Sequence, residues 1–301
     1  MTHNFSSDDF PESYSLPMSP YIPRQKGERL PKQFIDPDEA FAEAKKRIAQ
    51  EASAKTGKLD LRQLRINSVP EEIAQLVWLE KLLIDNDSSI LSKYRIDITP
   101  IKALNNLTYL SLRQCRIDSC LDLSLMPQLN YLSLYSSEVE QLKGLSTLEQ
   151  LQHLDVGFGN LTELPHLSSL SNLRWLSIRA SEVAKLEGLE HLERLQLLDV
   201  AHSQITQLKG LAKLGQLQDL DASDISVTEL EGLVDLGELV KLRFNGLNLN
   251  HLPEAVVRLP KLKALYCDET QIGNVPKEYL SRYYNDDCLV KLRKFFDLAS
   301  S

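Results

Sequence analysis

Leucine recurs every 22 residues through the middle of this chain, and that period limits the folds that the chain can adopt. In the five units that begin between residues 129 and 217, unit positions 1, 4, 6, 11, 14, 17 and 20 are all apolar. A fixed period on the order of 20 to 50 residues indicates an array of stacked units, because a single unit cannot bury its own apolar face. A long coiled coil is excluded, since its apolar period is about 3.5 residues. The leucines that open successive units are Leu107, Leu129, Leu151, Leu173, Leu195, Leu217 and Leu239.

The spacing inside each unit predicts its secondary structure. Positions 4 and 6 alternate with polar residues, so each unit begins with a short strand whose apolar side chains point inward. Positions 14, 17 and 20 follow a three-residue period, which suits a 3₁₀-like return segment. Glycine at position 16 keeps this return tight in several units, at Gly144, Gly188, Gly210 and Gly232.

The unit pattern LxxLxLxxSxIxxLxGLxxLxx resembles the bacterial and phosphatase-regulator class of 22-residue leucine-rich repeats, especially in KLEGLEHLERLQLLDVAHSQI from Lys185. The resemblance covers residues 58 to about 280. It implies an α/β solenoid, a leucine-rich repeat horseshoe of about ten units with a parallel concave sheet. SVPEEI, HLPEAV and NVPKEY, which begin at Ser68, His251 and Asn274, resemble the longer end units of bacterial leucine-rich repeat proteins, including the Roco GTPases. The sequence has no P-loop, so the resemblance brings no GTPase activity with it.

One column of the repeat departs from the family pattern. Such repeats usually carry asparagine at position 9, where the side chain bonds backbone groups of the turn. This chain has serine or threonine at several of these positions, and their hydroxyls bond the backbone more weakly. We expect irregular turns at Gly159, Ile225 and Leu247, whose side chains cannot make such bonds.

The chain is predicted to have four parts. Residues 1–35 form a flexible, proline-rich N-terminal tail, and residues 36–57 form an N-terminal capping helix. Residues 58–280 form the repeats, and residues 281–301 form a C-terminal capping helix that acts as a lid. One early unit is longer than its neighbours, which predicts a loop within 86–97.

Capping signals define the two end helices. Asp36 before Pro37 is a favourable N-cap, and Gly57 is suited to end the first helix. The C-terminal helix is predicted to begin at Asn285 or Asp286. The helical period predicts that one face of the first helix is apolar and consists of Phe41, Ala44, Ile48 and Ala52.

Composition and motifs exclude several functional classes. No run of about 18 apolar residues could span a membrane, and the N-terminal segment lacks the apolar region of a secretory signal. A net charge of −8 disfavours nucleic acid as a partner. We find no catalytic motif, cofactor-binding loop or metal-ligand spacing, so we expect no enzyme, cofactor or metal. The cysteine usage indicates a reducing cytoplasm, with Cys115, Cys120 and Cys267 interpreted as buried small hydrophobes.

The residues between the leucines carry the functional prediction. Unit positions 3, 5 and 7 face the concave side of the sheet, and position 3 places aromatic residues on adjacent strands. A row of exposed amphipathic rings predicts a binding hot spot for a partner protein. The alternative is that aromatic residues suit strands and stack across them without binding a partner. The ladder consists of Tyr109, Tyr131, His153, Trp175 and Leu197, with Tyr135 and Phe158 beside it.

Charge on the same face is segregated along the array. The N-terminal end is basic, whereas acidic residues surround the middle. These are Asp155, Asp199, Asp219, Asp221 and Asp224, interrupted by Arg179. Like charges so close together repel each other, and we expect a basic patch on a partner protein to relieve this repulsion. The alternative is a solvated face whose charges keep the solenoid soluble.

Two functions follow from these features. The first is a non-catalytic, cytoplasmic protein–protein interaction scaffold that binds a partner protein on its concave face, a regulated enzyme being one class of partner. The second is a bacterial effector or sensor, secreted or signalling, that targets a host or signalling protein through the same repeats. Neither function has nucleic acid or a membrane as partner, and fold alone does not identify the partner protein.

Overall fold

The structure is a computed structural model that describes residues 36–85, 95–117, 120–164, 167–208, 210–280 and 288–299. The tail predicted at 1–35 and the helix-starting residues Asn285 and Asp286 lie outside the described residues, as does the 86–94 part of the predicted loop. The described residues form an array of repeats with a helix at each end.

A parallel sheet of ten short strands, one strand per repeat, forms one side of the array. In chain order the strands of the described residues are β1 (Lys58–Asp60), β2 (Lys81–Leu83), β3 (Tyr109–Ser111), β4 (Cys120–Asp122), β5 (Tyr131–Ser133), β6 (Gln141–Lys143), β7 (His153–Asp155), β8 (Trp175–Ser177), β9 (Leu197–Asp199), β10 (Asp219–Asp221), β11 (Lys241–Arg243), β12 (Asn248–Leu249), β13 (Ala264–Tyr266) and β14 (Gln271–Ile272). The ten-stranded sheet has the order β1-β2-β3-β5-β7-β8-β9-β10-β11-β13. Two separate ladders pair β4 with β6 and β12 with β14. The predicted solenoid with a parallel sheet is confirmed.

Short 3₁₀ helices return the chain between strands, as the three-residue spacing predicts. Their bounds are Glu71–Gln75, Thr99–Ala103, Leu145–Thr147, Leu167–Ser169, Leu189–His191, Leu211–Lys213, Glu231–Leu233 and Lys277–Tyr279. Gly144, Gly188 and Gly210 precede three of them with φ of 73°, 86° and 92°, a conformation that glycine adopts without a steric penalty. The inward leucines of the strands, such as Leu154 and Leu176, are fully buried between the sheet and these return segments.

A left-handed residue follows each strand of the ten-stranded sheet wherever the structure describes the turn. This residue is at position 8, and its φ is 56° at Phe158 and 54° at Asp224. At position 9 the turns differ as expected: the N–H groups of Ser137, Ser181, Ser203 and Thr270 donate to the position-6 carbonyl at 2.9 to 3.3 Å, whereas Gly159, Ile225 and Leu247 make no such bond. The backbone itself holds each turn, because the position-8 N–H donates to a position-7 carbonyl of the next repeat at 2.7 to 2.9 Å, whatever side chain follows.

The helix α1 (Pro37–Ala54) covers the first strand of the sheet. Asp36 caps it as predicted, its carboxylate accepting a hydrogen bond from the Asp38 N–H at 2.8 Å. Arg47 Nη1 donates to the carbonyl oxygen of Asp60 at 2.9 Å and ties the helix to the edge of β1. The sheet edge is thus protected from pairing with another chain.

The buried face of α1 differs from the predicted face by one position. Phe41 is half-buried and Ala52 is exposed, because the helix meets the sheet edge through residues that start at Ala40. The helix is closed by Lys55, whose φ is 49° and whose N–H donates to the Glu51 carbonyl, and not by Gly57. The residues that α1 buries are Ala40, Ala44, Ile48 and Glu51.

The C-terminal end carries α2 (Glu254–Val257) and α3 (Leu289–Ala299). Leu292 and Phe296 of α3 are buried against the last repeat. Among the described residues, no helix has the length and apolar character needed to cross a membrane.

Cys267 and Cys288 form a disulfide between the last repeat and the residue before α3. Cys267 is buried in the core, as expected, but the expectation that it has only a packing role is wrong, because the fold brings it and Cys288, 21 residues apart, to a Cα–Cα distance of 6.8 Å. Cys115 is a buried free thiol, as expected. Disulfides are typical of oxidising compartments, so the cysteines no longer favour a reducing cytoplasm.

Candidate protein-binding face

Four rings at position 3 stack face to face along the concave side of the sheet. Tyr109, Tyr131, His153 and Trp175 lie opposite one another in register on β3, β5, β7 and β8. Successive ring centroids are 3.9, 4.2 and 3.9 Å apart, with planes within 10° of parallel. The Lys81 ammonium lies 3.8 Å from the Tyr109 ring centroid and extends the column by one repeat. The ladder that the sequence predicted is one ordered column.

The column is more buried than the sequence analysis expected. Tyr109, His153 and Trp175 are 8%, 5% and 5% exposed, and Leu197 beside Trp175 is 8% exposed. The expected row of exposed rings is wrong, because strands about 4.8 Å apart leave each ring face covered by the next ring. Cross-strand stacking, the alternative interpretation, is confirmed as a contact. Partner binding by these residues stays a prediction.

Three rings of the column carry buried polar atoms with no hydrogen-bond partner among the described residues. These atoms are the hydroxyl oxygen of Tyr109, both ring nitrogens of His153 and Nε1 of Trp175. Burial, helped by the Arg113 charge, lowers the pKa of His153 well below its usual value, so its ring is neutral. A neutral imidazole has one N–H to donate and one nitrogen to accept. Buried polar atoms are rarely left unpaired in folded proteins, and stacking alone does not account for these, which lie beneath the surface of the face.

Carboxylates at position 5 have a structural role that the sequence analysis missed. Asp155, Asp199 and Asp221 are buried, and each accepts a hydrogen bond from the backbone N–H two residues later, at 3.1 or 3.2 Å. Asp155 also accepts from the Ser133 hydroxyl on the adjacent strand at 3.2 Å. Such turns hold the chain as it leaves each strand. The recurring Asp or Ser at position 5 was the available signal.

Arginines of the same face pair with the acidic residues. Arg179 Nη1 lies 3.6 Å from Asp199 Oδ1 and 3.4 Å from Asp221 Oδ2. Arg243 Nη1 lies 2.8 Å from Asp219 Oδ1. These arginines compensate part of the acidic charge, but the Asp221 charge still raises the pKa of Asp199, so repulsion between the carboxylates persists and its relief by a cationic partner stays a prediction.

Two of these carboxylates have raised pKa values. Burial raises the pKa of Asp199 to about 7, with the Asp221 charge adding to the shift and Arg179 opposing it. Burial also raises the pKa of Asp219, against the lowering effect of Arg243. The protonation of Asp199, and with it the charge of this face, therefore changes near neutral pH.

Replacing Asp199 by asparagine should change how stability depends on pH. The native pKa lies above the unfolded value of about 3.9, so the native state binds the proton more tightly and loses that stabilisation as pH rises from about 4 to about 7. The asparagine variant lacks this titration. We expect it to gain stability relative to the parent over that window, by at most about 1.4 kcal/mol per pH unit, and to gain nothing further above it. Urea denaturation at successive pH values measures the difference.

Asp97→Asn is the control for this pH profile. Hydrogen bonding from Thr99 lowers the pKa of Asp97, so its contribution is lost only as pH falls below about 4 and has the opposite sign. A free-energy difference between Asp199→Asn and the parent that stays constant from pH 4 to pH 7 would contradict the raised pKa.

The turns beside the sheet form an exposed border to this face. We call side chains at positions 3, 5 and 7 the concave floor, and the position-8 residues Ser136, Phe158, Ala180, His202 and Asp224 the turn rim. Phe158 is 46% exposed, and its ring centroid lies 5.1 Å from that of Tyr135 on the floor. The Arg113 guanidinium lies 4.8 Å from the Tyr135 ring centroid, and His202 Nδ1 lies 3.5 Å from Asp224 Oδ2.

The structure brings every residue of the predicted binding site onto the floor or the rim. Within the part of the chain that the structure describes, no three His, Cys, Asp or Glu side chains are placed to hold a metal ion. The floor thus consists of a column of stacked rings and a set of paired charges, and the rim adds exposed side chains such as Phe158 and Asp224.

Comparisons with known proteins identify the fold. No protein-family model and no curated protein matches the chain. Internalin C2 from Listeria monocytogenes matches 64% of this chain and 83% of its own, with 22% identity and a TM-score of 0.57. An internalin, InlF, from the same organism matches 80% of this chain and 84% of its own, with 22% identity and a TM-score of 0.56.

A plant structure has the same architecture. The LRR ectodomain of the membrane receptor kinase GASSHO1/SCHENGEN3 from Arabidopsis thaliana, in complex with CASPARIAN STRIP INTEGRITY FACTOR 2, matches 68% of this chain and 28% of its own. The identity is 18% and the TM-score is 0.51. With one parallel strand and one return segment per repeat, and leucines inward, the chain has the leucine-rich repeat fold.

Proposed function

We propose that this protein is a non-catalytic protein–protein interaction scaffold that binds a partner protein on its concave floor and turn rim. The observation that carries the proposal is the column of Tyr109, Tyr131, His153 and Trp175, whose rings are already ordered by stacking at 3.9 to 4.2 Å. A partner that contacts an ordered surface does not have to immobilise its side chains, so more of the contact energy appears as affinity.

The charges on and beside the floor set the orientation in which a partner protein binds. From His153 to Asn245, floor positions hold Asp155, Asp199, Asp219 and Asp221 against Arg179, Lys241 and Arg243, a balance of four acidic to three basic residues. The exposed Asp224 of the rim and the exposed Glu182 beside the rim add to the acidic side. This supports a partner with a basic patch, contacting the rim more than the partly compensated floor.

Substituting the column tests the proposal. Trp175 is buried, so truncation to alanine should destabilise the fold, and we choose leucine at Tyr131 and Trp175 to keep apolar volume in the column. Affinity capture from the native host should lose the specific partner with the Tyr131→Leu, Trp175→Leu double variant. Each ring is expected to contribute about 2 kcal/mol to binding, or roughly 30-fold in Kd.

The control for this capture changes apolar residues away from the concave floor. Val77 and Leu125 are 50% and 52% exposed and lie after a return segment and after β4, outside the concave floor, so Val77→Ala, Leu125→Ala should retain the partner. The proposal fails if a partner survives the column substitutions as well as it survives the control, with both variants folded by circular dichroism.

The finer assignments are proposals too. We place the repeats in the 22-residue bacterial and phosphatase-regulator class with Roco-like end units, supported by strands that recur every 22 residues from β3 to β11. We also retain the boundaries at 35, 57 and 280, and an enzyme as one class of regulated partner.

A bacterial effector or sensor is the second candidate function, and the Cys267–Cys288 disulfide favours it over a cytoplasmic scaffold. The test is cell fractionation, followed by mass spectrometry of the two cysteines under non-reducing conditions. The disulfide form in the culture medium supports the effector. Reduced thiols in protein confined to the cytoplasm support the scaffold.

A further inference from the structure

Phe158 occupies a backbone conformation that suits few residues with a side chain. Its φ is 56°, in the left-handed region, where a Cβ atom crowds the following carbonyl oxygen. Every repeat whose turn the structure describes has a left-handed residue at this position, and the other residues there are small or polar. They are Gln63, Gln114, Ser136, Ala180, His202, Asp224, Gly246 and Glu269. Glycine or asparagine would fit this position better than phenylalanine.

The packing of Phe158 does not account for its presence. The side chain is 46% exposed, and its ring contact is with Tyr135 at 5.1 Å and a tilt of 50°. Among the described residues, the other large apolar side chains with comparable exposure are aliphatic: Val77, Leu125, Val290 and Leu298. An exposed aromatic residue in an unfavourable conformation points to a function rather than to stability.

A notch lies beside Phe158 on the turn rim. Phe158, Ala180 and His202 follow one another on three consecutive repeats, so the large residues stand about 10 Å apart, two strand spacings, with a methyl group between them. The floor residues of the two outer repeats are small, at Gly157 and Ala201, and the floor residue beside Ala180 is Arg179, whose guanidinium pairs with Asp199 and Asp221. Backbone hydrogen bonds from Phe158 to Arg179 and from Ala180 to Ala201, at 2.7 and 2.8 Å, hold these turns in register.

The surroundings of the notch are acidic. Glu182 is exposed two residues after Ala180, and Asp224 is 44% exposed beside His202. A cationic side chain one or two residues from the inserted apolar residue would lie close to these carboxylates.

We propose that the notch formed by Phe158, Ala180 and His202 is the anchor site for a partner-protein segment that combines an apolar side chain with an adjacent lysine or arginine. This rests on the proposed scaffold function and assigns it a recognition element. Phe158 forms one wall of the notch and contacts the partner segment. Its left-handed conformation makes the folded state less stable than a better-suited residue would.

A random-peptide library displayed on phage tests this with a defined probe. Full-length protein selects peptides, and the affinity of each enriched peptide is measured against variants by surface plasmon resonance. Phe158→Asn removes the wall, and Ala180→Gln fills the notch with a residue that Gln63 and Gln114 already carry at this turn. Leu125→Asn is the matched control, since it removes a similarly exposed apolar side chain elsewhere.

We expect enriched peptides to pair an apolar residue with a nearby lysine or arginine, and to lose at least tenfold in affinity on Phe158→Asn and Ala180→Gln but not on Leu125→Asn. We also expect Phe158→Asn to melt at the parent temperature or higher, because asparagine tolerates the left-handed conformation. A lower melting temperature would mean that Phe158 is kept for stability, and would overturn the proposal.

A floor variant separates failure of the notch from failure of the scaffold function. Leu197→Lys places a cation between Trp175 and Asp219, at a position that is lysine in β2 and β11. If the peptides lose affinity for Leu197→Lys but not for the notch variants, the notch proposal is wrong and the scaffold function is still supported. Peptides that respond to the notch variants alone support the notch and overturn the floor as the contact surface. Enrichment of no peptide, or indifference to all three variants, overturns both.

Discussion

Replacing Gly144 by alanine is expected to lower the free energy of unfolding by about 3 kcal/mol or more. Gly144 has a φ of 73°, and an added Cβ would lie against the backbone nitrogen of Ser124 and 2.8 Å from its Cα. A side chain could rotate away from such a contact, but backbone cannot, so the two repeats would have to separate. Gly144 lies in the repeat whose strand carries Tyr131, so separation would also disturb the ring column. Urea denaturation followed by far-ultraviolet circular dichroism measures the loss.

Gly210→Ala is the matched control, because it has the same role in its repeat without the close approach. Its φ is 92°, and the atom nearest to an added Cβ is 3.6 Å away. We expect this variant to lose only the conformational cost of a left-handed alanine, about 1 kcal/mol. Equal losses at the two glycines would mean that backbone conformation alone, and not the spacing between repeats, makes glycine necessary at position 16.

The inward face of the array could be predicted from the sequence because periodicity fixes direction. Leu176 and Ile178 alternate with polar residues, and a period of two leaves one face for both of them. The same argument placed Tyr131, His153 and Trp175 together on the opposite face, and the structure puts them in register there.

Burial on that opposite face could not be predicted in the same way. A side chain that faces away from the core is exposed to solvent only where the neighbouring side chains are small. Flat rings on adjacent strands cover one another instead. The spacing of one strand per repeat makes His153 as buried as a core residue, at 5% exposure. Periodicity says where a side chain points, and the sizes of its neighbours decide whether water reaches it.

Long-range pairings were also beyond the sequence pattern. Arg179 contacts carboxylates one and two repeats further along, which requires the side chain to extend across strands. Cys267 and Cys288 meet because the end of the array folds back onto the last repeat. Neither pairing follows from the 22-residue period, since that period relates equivalent positions and these residues occupy different ones.

Replacing Arg179 by methionine is expected to lower the free energy of unfolding by about 3 to 5 kcal/mol at pH 8. Methionine keeps the apolar volume of the arginine stem but leaves Asp199 and Asp221, which are 5% and 6% exposed, without their shared cation. Two buried carboxylates then face each other uncompensated. At pH 5 the loss should be smaller, because protonation of a carboxylate removes the repulsion. Denaturation at both pH values gives the two free energies.

Replacing the two carboxylates by amides shows whether the stability lost in Arg179→Met comes from unpaired charge or from altered packing. Arg179→Met combined with Asp199→Asn and Asp221→Asn should recover most of the stability lost at pH 8, since no buried charge remains unpaired. If Arg179→Met alone costs less than about 1 kcal/mol at both pH values, solvent screens these ion pairs as it screens surface pairs. The acidic residues would then be free to attract a cationic partner directly. If the loss is large and pH-dependent, and the asparagine substitutions restore the stability, the charges of the floor are balanced before a partner binds. A partner is then selected by charge through Asp224 of the rim and Glu182 beside it.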